Sequence, residues 1–339
     1  MLPFPRLLAL PVALAMLAAA PVAGANDFPS RTAKLSYVVS ADNPVGLGVK
    51  KFAEIIARDT GGKTRVRGFP DGQLGAEVQS VAGAQGGMIE MAVVTTAAAS
   101  TAVKEFGVFD FPFLLDTEKE ADALLDGSVG KSLLEKLDAR NLVGLCYWEY
   151  GFRHVLNSSR PITSANDLQG LKIRVVQSPL FIDTFNALGA NATPLAFTEL
   201  YTALESKALD GAESTYSTIQ TSKFHEVQKY LSATKHIYSP AVVLVSKRFW
   251  DRLSAAEKKV YQEACHEAAA YQRRTNRESD PQMLAQMQKE GVVFNEIPAS
   301  ERQQMREKVR PVVEKHAEAI GTGLYAEVSS QLERIRAGR

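Results

Sequence analysis

The sequence contains few cysteines and no cluster of positive charge. Only 2 of its 339 residues are cysteine, so a disulfide-dense scaffold is excluded. The 39 Lys and Arg residues are nearly balanced by 38 Asp and Glu residues and form no basic block, which argues against a nucleic-acid partner. Apolar residues make up 45% of the chain and charged residues 23%, as in globular proteins. We therefore expect a folded protein that does not bind nucleic acid.

Motifs of the common enzyme and metal-binding classes are also missing. Residues 59–64 (DTGGKT) match the tail of a phosphate-binding loop, but Ala57 stands where that loop requires glycine. The segment that starts at His266 (HEAAAY) begins like the zinc-binding helix motif of zinc proteases, but the second histidine ligand is absent. Neither G-x-S-x-G nor G-x-G-x-x-G occurs. The sequence supports no catalytic residue, metal or cofactor, although it does not exclude an enzyme.

The two cysteines lie far apart in the chain. Cys146 falls within the apolar strand pattern LVGLCYW, and Cys265 falls within the helical run YQEACHEAAAYQ. A chain of this length can bury a large core without a covalent link. The pattern favours two buried free thiols, and a disulfide is the alternative if the protein is exported.

The N-terminus has the pattern of a secretory signal peptide. A single positive charge at Arg6 is followed by the apolar run Leu7 to Ala20, which is short for a membrane span. The segment closes on Ala23-Gly24-Ala25, the small-x-small pattern of a signal-peptidase site. We predict a signal peptide over residues 1–25, cleaved near Ala25, and hence an exported protein. An uncleaved anchor is the alternative.

After this segment, strand and helix patterns alternate. Residues 33–96 predict strand, helix, strand, helix, strand, which is typical of a parallel sheet covered by helices. Helical patterns fill residues 117–140. The strands predicted at 141–150 and 153–159 are long enough to pass between two lobes. No Pro/Gly/Ser-rich linker separates two independent domains, so we expect two joined α/β lobes.

The alternation resumes in the second half of the chain. A helix is predicted over residues 215–231, followed by two strands at 233–239 and 241–246. From Ser254 onward the chain is predicted to be mostly helical, with breaks at Pro281 and Pro311.

A charged residue stands in the short apolar strand of residues 170–178 (GLKIRVVQS). Arg174 lies at its carboxyl end, where ligands bind in open α/β sheets. Thr95, Thr96 and Ser214 follow other predicted strands, so these polar groups are expected to face one cleft. The strand alone is more typical of a solvated surface arginine than of a ligand-binding one.

Three long segments resemble one known family. They are residues 151–178 (GFRHVLNSSRPITSANDLQGLKIRVVQS), 185–214 (FNALGANATPLAFTELYTALESKALDGAES) and 222–250 (SKFHEVQKYLSATKHIYSPAVVLVSKRFW). In order and spacing they are similar to the periplasmic solute-binding proteins of tripartite ATP-independent periplasmic (TRAP) transporters, the DctP-type family. The likeness extends from about Ala33 to about Ala270.

The resemblance implies a type II-like periplasmic-binding-protein fold. Two α/β lobes, joined by crossing strands, surround a cleft and are braced by a long helix. Lobe I is expected over residues 26–150, with residues from about 235 to 275 returning to it, and lobe II over residues 151–234. Helices from about 276 to 339 are expected to pack across both lobes.

The resemblance also implies a set of ligand contacts. Arg174 matches the family's arginine that pairs with the ligand carboxylate, and its planar fork suits that role. Arg153 matches a second arginine that contacts the acid in some members; a salt bridge on a crossing strand is the alternative. Seven further residues are expected to line or support the cleft: Thr95, Thr96, Trp148, Gln177, Phe197, Ser214 and Tyr216. Ser214 departs from the family, because many relatives have asparagine there.

The implied function is capture of a small organic acid in the periplasm. The resemblance predicts a monomeric, non-enzymatic binding protein that delivers its ligand to the small and large membrane subunits of a TRAP transporter. The available hydroxyl and amide groups favour a hydroxylated monocarboxylate, such as a sugar acid. Alternatives are a C4-dicarboxylate or a 2-oxo acid, with Arg153 holding a second acid group. A periplasmic enzyme or the capture subunit of a signalling receptor are more distant alternatives.

Overall fold

A computed structural model describes residues 28–338 of the chain. The predicted signal peptide and its cleavage site near Ala25 lie outside these residues. Within residues 28–338, no helix combines the length and the apolar character needed to cross a membrane.

The described chain alternates strands and helices, as the sequence predicts. The strands are β1 Arg31–Ser36, β2 Thr64–Phe69, β3 Met91–Thr95, β4 Leu142–Asn157, β5 Lys172–Val175, β6 Asn191–Pro194, β7 Gly211–Ser214, β8 Tyr230–Ser246 and β9 Val293–Glu296. The α-helices are α1 Pro44–Asp59, α2 Glu77–Gln85, α3 Thr96–Ala99, α4 Glu118–Leu125, α5 Ser128–Lys136, α6 Pro179–Leu188, α7 Leu200–Glu205, α8 Tyr216–Thr221, α9 Lys247–Trp250, α10 Ala255–Lys289, α11 Ala299–Ile320 and α12 Thr322–Arg336. Short 3-10 helices span Lys104–Asp110, Asp138–Arg140, Ala165–Leu168, Phe197–Glu199 and Phe224–Glu226.

Local sequence signals explain the first helix, α1. Pro44 occupies its first position, where the missing N–H costs nothing, and the Asn43 side chain accepts a hydrogen bond from the Val45 amide. Phe52 and Ile56, four residues apart, turn the same face of the helix into the core and are fully buried. A capped start and an apolar stripe thus fix both the position and the orientation of α1.

The strands form one continuous sheet in the order β2-β1-β3-β8-β4-β7-β5-β6, with β9 added beside β8. Strand β3 pairs with residues 241–245 of β8, whereas β7 pairs with residues 154–157 of β4. The two long antiparallel strands β4 and β8 therefore connect the β1–β3 half of the sheet to the β5–β7 half. This arrangement confirms the predicted two-lobed α/β class with crossing strands. The residue bounds of the two lobes stay a proposal, which the pairing supports.

Each crossing strand is a single element, although the sequence predicted it as two. The register between β4 and β8 shifts at three places, one of them between Glu149 and Gly151. Gly151 has a φ of +103°, a conformation that side-chain-bearing residues rarely adopt. A β-bulge of this kind bends a strand without ending it. Gly151, which lies between the two predicted strands, thus marks a bend in one continuous strand between the two halves of the sheet.

Helix α10 braces the two halves of the sheet. It begins at a capping box formed by Ser254 and Glu257 and runs for 35 residues, about 52 Å at 1.5 Å per residue. Tyr261 packs into the core behind β1–β3, and Met287 packs into the core of the other half. The helix thus contributes to the cores of both lobes.

The predicted breaks at Pro281 and Pro311 are wrong. Pro281 lies inside α10 and Pro311 inside α11. Both prolines are exposed, so the carbonyl group that each leaves without an intrahelical partner can be solvated. Because apolar residues on both sides of each proline are buried, tertiary packing keeps the two helices continuous.

The helix predicted over residues 215–231 is also largely wrong. Helix α8 ends at Thr221, and Lys223 adopts the left-handed conformation with φ +59°. A single 3-10 turn follows, and β8 begins at Tyr230, which pairs with Asn157. The helical periodicity of this segment is overridden by pairing with the crossing strand β4.

The two cysteines form a disulfide, so the prediction of free thiols is wrong. Cys146 on β4 and Cys265 on α10 are bonded, with their Cα atoms 6.0 Å apart. Both residues are buried where α10 packs on the crossing strands. The sequence places them 119 residues apart, and only the packing of the helix on the sheet brings them together.

The last two helices pack across the molecule. Helix α11 places Met305 and Val309 in the core around β5, and Val312 in the core that also contains β3 residues. Val328 and Leu332 of α12 join the second of these cores. These contacts support the proposed C-terminal segment that spans both lobes.

We expect the double variant Cys146→Ser/Cys265→Ser to lower the free energy of unfolding by about 2–5 kcal/mol, because the bond closes a long loop in the unfolded chain. Urea unfolding measures this loss. With reductant present, the wild-type protein should unfold at the same urea midpoint as the variant. The midpoint of the variant should not change when reductant is added. A variant as stable as the oxidised wild type would contradict the pairing.

Candidate ligand-binding site

A small cavity lies where the two halves of the sheet meet. It encloses about 30 Å³, roughly the share of one liquid water molecule. Its lining residues come from both halves: Val38, Val39, Glu77, Thr95, Tyr150, Arg153, Arg174, Val176, Phe197, Ser214 and Thr218. Side chains from both halves of the sheet therefore meet around a polar centre.

Strand ends supply several of these groups, as expected for an open α/β sheet. Thr95 is the last residue of β3, Ser214 is the last residue of β7, and Arg174 is the penultimate residue of β5. The carboxyl ends of strands from both halves therefore converge on one cavity.

The Arg174 guanidinium is held by one edge only. Its Nε and Nη2 atoms donate to the carbonyl oxygen of Leu195, at 2.9 and 2.7 Å. These two bonds fix the orientation of the guanidinium plane. Nη1 has no hydrogen-bond partner among the described residues, so the edge formed by Nη1 and Nη2 can accept a ligand. That edge carries the two parallel donors that a carboxylate accepts.

The charge of Arg174 is buried and has no ion-pair partner in residues 28–338. The residue is 4% exposed and contacts no carboxylate within salt-bridge distance. Burial lowers the pKa of Arg174 to about 10, although the more distant Glu213 acts in the opposite direction. A buried cation is stable only with an anion and hydrogen-bond partners nearby, so this position favours a negatively charged ligand.

Arg153 lies beside Arg174 but already has a partner. Its Nε and Nη2 atoms form a two-point ion pair with the carboxylate of Glu213, and Nη2 also donates to the Glu213 carbonyl at 2.9 Å. Nη1 lies 3.4 Å from the hydroxyl of Ser239. Burial raises the pKa of Glu213, but Arg153 and the imidazole of His236 outweigh it and lower the pKa to about 2. The two charges neutralise each other, which is the salt bridge that the sequence left as an alternative.

A carboxylate, Glu77, also lines the cavity. Its two oxygens accept hydrogen bonds from the Thr95 amide at 2.7 Å and the Thr95 hydroxyl at 2.9 Å. Burial raises the pKa of Glu77, and the bonds from Thr95 and the charge of Arg174 partly offset this. The site therefore presents a fixed acceptor opposite its arginines.

A second buried acid, Asp110, is bound by Thr96 and is affected by the charge of Glu77. The Thr96 hydroxyl donates to Asp110 Oδ1 at 2.9 Å, and Oδ2 has no partner among the described residues. Burial raises the pKa of Asp110 to about 8, and the charges of Glu77 and Glu213 act in the same direction. Asp110 is therefore mainly protonated at neutral pH.

Two aromatic residues complete the wall. Tyr150 is 4% exposed, and its buried hydroxyl has no hydrogen-bond partner in the described chain. Phe197 packs edge-on against Phe224, with ring centroids 5.7 Å apart. The wall thus offers one free hydroxyl and one apolar face.

The structure brings five of the nine predicted site residues to the cavity: Thr95, Arg153, Arg174, Phe197 and Ser214. Thr96 faces Asp110, and Trp148 is fully buried in the core beside Phe52. Gln177 is exposed beyond β5. Tyr216 stacks on His154 at 4.1 Å and lines a separate cavity of about 530 Å³. Ligand contacts by these four residues stay predictions that this conformation does not support.

Glu77 and Thr218 line the cavity but were absent from the predicted set. Glu77 is the first residue of α2, and nothing in the pattern of that helix distinguishes it from a solvated acid. Its approach to Thr95 depends on how α2 packs on β3. The signal that could have identified it is its position shortly after the carboxyl end of β2, where open α/β sheets place ligand-binding groups.

Residues 35–319 match bacterial extracellular solute-binding protein family 7, DctP. The chain belongs to this family. The match covers most of the chain and confirms the resemblance to solute-binding proteins of TRAP transporters.

Solved structures and curated relatives of the DctP family agree with this assignment. A sugar acid binding protein from Advenella mimigardefordensis, solved in complex with galactonate, is 42% identical with a TM-score of 0.89, over 91% of this chain and 99% of that one. A TRAP periplasmic solute-binding protein from Polaromonas bound to D-erythronate is 34% identical with a TM-score of 0.85, over 88% and 98% of the two chains. The C4-dicarboxylate-binding periplasmic protein DctP of Rhodobacter capsulatus is 33% identical over 88% of this chain and 90% of its own length. Ligands differ among members of the family.

Because the folded protein holds a proton on Asp110 that the unfolded chain releases above about pH 4, this group's contribution to stability falls as pH rises toward 8. We expect the stability of the wild type relative to Asp110→Asn to fall by up to about 1.4 kcal/mol per pH unit between pH 5 and 7. Urea unfolding at three pH values measures this difference. The exposed-site variant Asp42→Asn should follow the wild type; parallel curves for wild type and Asp110→Asn would contradict the assignment.

Proposed function

We propose that this protein is the periplasmic ligand-capturing subunit of a TRAP transporter for a small hydroxylated monocarboxylate, such as a sugar acid. The observation that carries the proposal is the buried Arg174 guanidinium, which lines the cavity between the lobes without an ion-pair partner in the described chain. A ligand carboxylate supplies both the missing charge and two acceptors in the plane of the fork.

The remaining polar groups favour a ligand that bears hydroxyls. The hydroxyl-bearing residues Thr95, Ser214 and Thr218 line the cavity, and Tyr150 adds a buried hydroxyl with no partner among the described residues. Such neutral donors and acceptors match a chain of alcohol groups. A buried hydroxyl that is left without a hydrogen-bond partner costs free energy. The galactonate and D-erythronate bound by two similar proteins belong to this chemical class.

The charge balance favours one acid group over two. Glu213 neutralises Arg153, so Arg174 is the one cavity cation that lacks a direct carboxylate partner in residues 28–338. A C4-dicarboxylate is the second candidate, because a relative from Rhodobacter capsulatus is named for binding that class. For such a ligand, Arg153 would have to exchange Glu213 for the second ligand carboxylate, which is costly for a buried pair.

Binding requires the lobes to separate and close again. A cavity of about 30 Å³ is far smaller than pockets that hold small-molecule ligands, about 300–1,000 Å³. The bulged strands β4 and β8 and helix α10 connect the two halves of the sheet and are the elements that would bend. Closure around the ligand would then exclude water from the ion pair between Arg174 and the ligand carboxylate, which would strengthen that pair.

The wider function follows from the family. We propose that the chain is exported by its N-terminal signal peptide, acts in the periplasm as a monomer and passes its ligand to the two membrane subunits without chemical change. Membership of a solute-binding family supports this proposal over a periplasmic enzyme or a receptor subunit.

We expect galactonate, D-erythronate or a related acid to raise the melting temperature of the mature protein, and Arg174→Ala to weaken that binding at least about 100-fold. The loss corresponds to about 2.7 kcal/mol, within the range for removing charged hydrogen bonds from a buried site. Thermal shift identifies the ligand, and isothermal titration calorimetry measures the dissociation constant.

Two variants control this experiment. Arg174→Lys keeps the charge but not the fork, so its affinity should lie between those of wild type and Arg174→Ala. Lys172→Ala removes an exposed positive charge from the same strand and should bind like wild type. Full affinity in Arg174→Ala, or binding of sugars and amines but no carboxylate, would refute the proposal.

A further inference from the structure

We propose that Glu77 determines specificity, selecting a polyhydroxy monocarboxylate over the dicarboxylate of the same carbon skeleton. The inference rests on the proposed function and adds to it a discriminating residue. Glu77 would accept hydrogen bonds from ligand hydroxyls and repel a second ligand carboxylate.

The position of Glu77 is fixed by its contacts. It lies at the start of α2 in the β1–β3 half, whereas Arg174 lies on β5 in the other half. Both line the same cavity, so a ligand anchored on Arg174 spans toward the opposite half. Thr95 donates to each carboxylate oxygen once, which holds the group in place and leaves further lone pairs. Those lone pairs are suited to accept from alcohol groups.

The surrounding charges make a second carboxylate unfavourable at this end. Arg153 is bound to Glu213, and Asp110, which is mainly protonated at neutral pH, supplies no positive charge to offset a second carboxylate. No cation other than Arg153 and Arg174 is among the residues that line the cavity. A dicarboxylate on Arg174 would bring its second negative charge toward Glu77 in a buried site, where like charges repel strongly. A terminal hydroxyl in the same place donates to Glu77 instead.

Matched ligand pairs isolate this effect. Galactonate and galactarate differ only in having a terminal hydroxymethyl or carboxylate group, and erythronate and meso-tartrate form a shorter pair. For whichever pair binds, we expect the wild type to favour the monocarboxylate at least tenfold in dissociation constant. Glu77→Gln is nearly isosteric and should reduce that ratio at least tenfold, because an amide no longer repels the second carboxylate.

Three further variants separate charge from structure. Glu77→Ala removes the charge without the new amide and should reduce the ratio in the same way, so the test survives if Glu77→Gln does not fold. Glu77→Asp keeps the charge and should keep the preference. Glu54→Gln removes an exposed acid from α1 and should leave the ratio unchanged.

The outcomes distinguish this inference from the proposed function. An unchanged ratio in Glu77→Gln and Glu77→Ala, with binding still dependent on Arg174, overturns the role of Glu77 and leaves the proposed function intact. A wild type that prefers the dicarboxylate also overturns it. If no hydroxylated acid binds the wild type at all, the proposed function fails and the inference fails with it.

Discussion

A guanidinium charge buried between two lobes must be balanced by an anion, and the arrangement of the site follows from that requirement. The protein satisfies one edge of Arg174 with the Leu195 carbonyl, which orients the group but does not neutralise it. By contrast, the neighbouring Arg153 receives a full carboxylate partner in Glu213. Two arginines that line the cavity are thus treated differently, and of these two we propose that Arg174 selects a ligand by its charge.

The scaffold keeps this charge between surfaces that can separate. Crossing strands β4 and β8 join the halves of the sheet, and α10 packs in the cores of both. The Cys146–Cys265 bond ties α10 to β4 on one side of the bend at Gly151. The bond therefore fixes the part of α10 around Cys265 to the β1–β3 half, and the bulged strands and the rest of the helix are the connection that we propose bends.

Local patterns in the sequence predicted much of this, and tertiary packing decided the rest. Alternation of strand and helix gave the two-lobed class, and the strand-end position of Arg174 pointed to the cleft. The disulfide, the continuous helix through Pro281 and the approach of Glu77 to Thr95 depend on elements far apart in the chain. Thr96 was expected at the cleft with Thr95, but the chain turns into α3 at this point. The Thr95 hydroxyl therefore donates to Glu77, whereas the Thr96 hydroxyl donates to Asp110.

The central claim is that Arg174 recognises a negative charge on the ligand, and a comparison of two ligands tests it most directly. Galactonate and its uncharged amide share every hydroxyl group and differ in the acid group alone. Calorimetric titration of the mature wild-type protein should give an affinity for the acid at least about 100-fold higher, since hydrogen bonds between charged groups are worth about 1.5–3 kcal/mol each. Equal affinity for the acid and the amide would show that the site reads the hydroxyl chain without the charge, and would contradict the account.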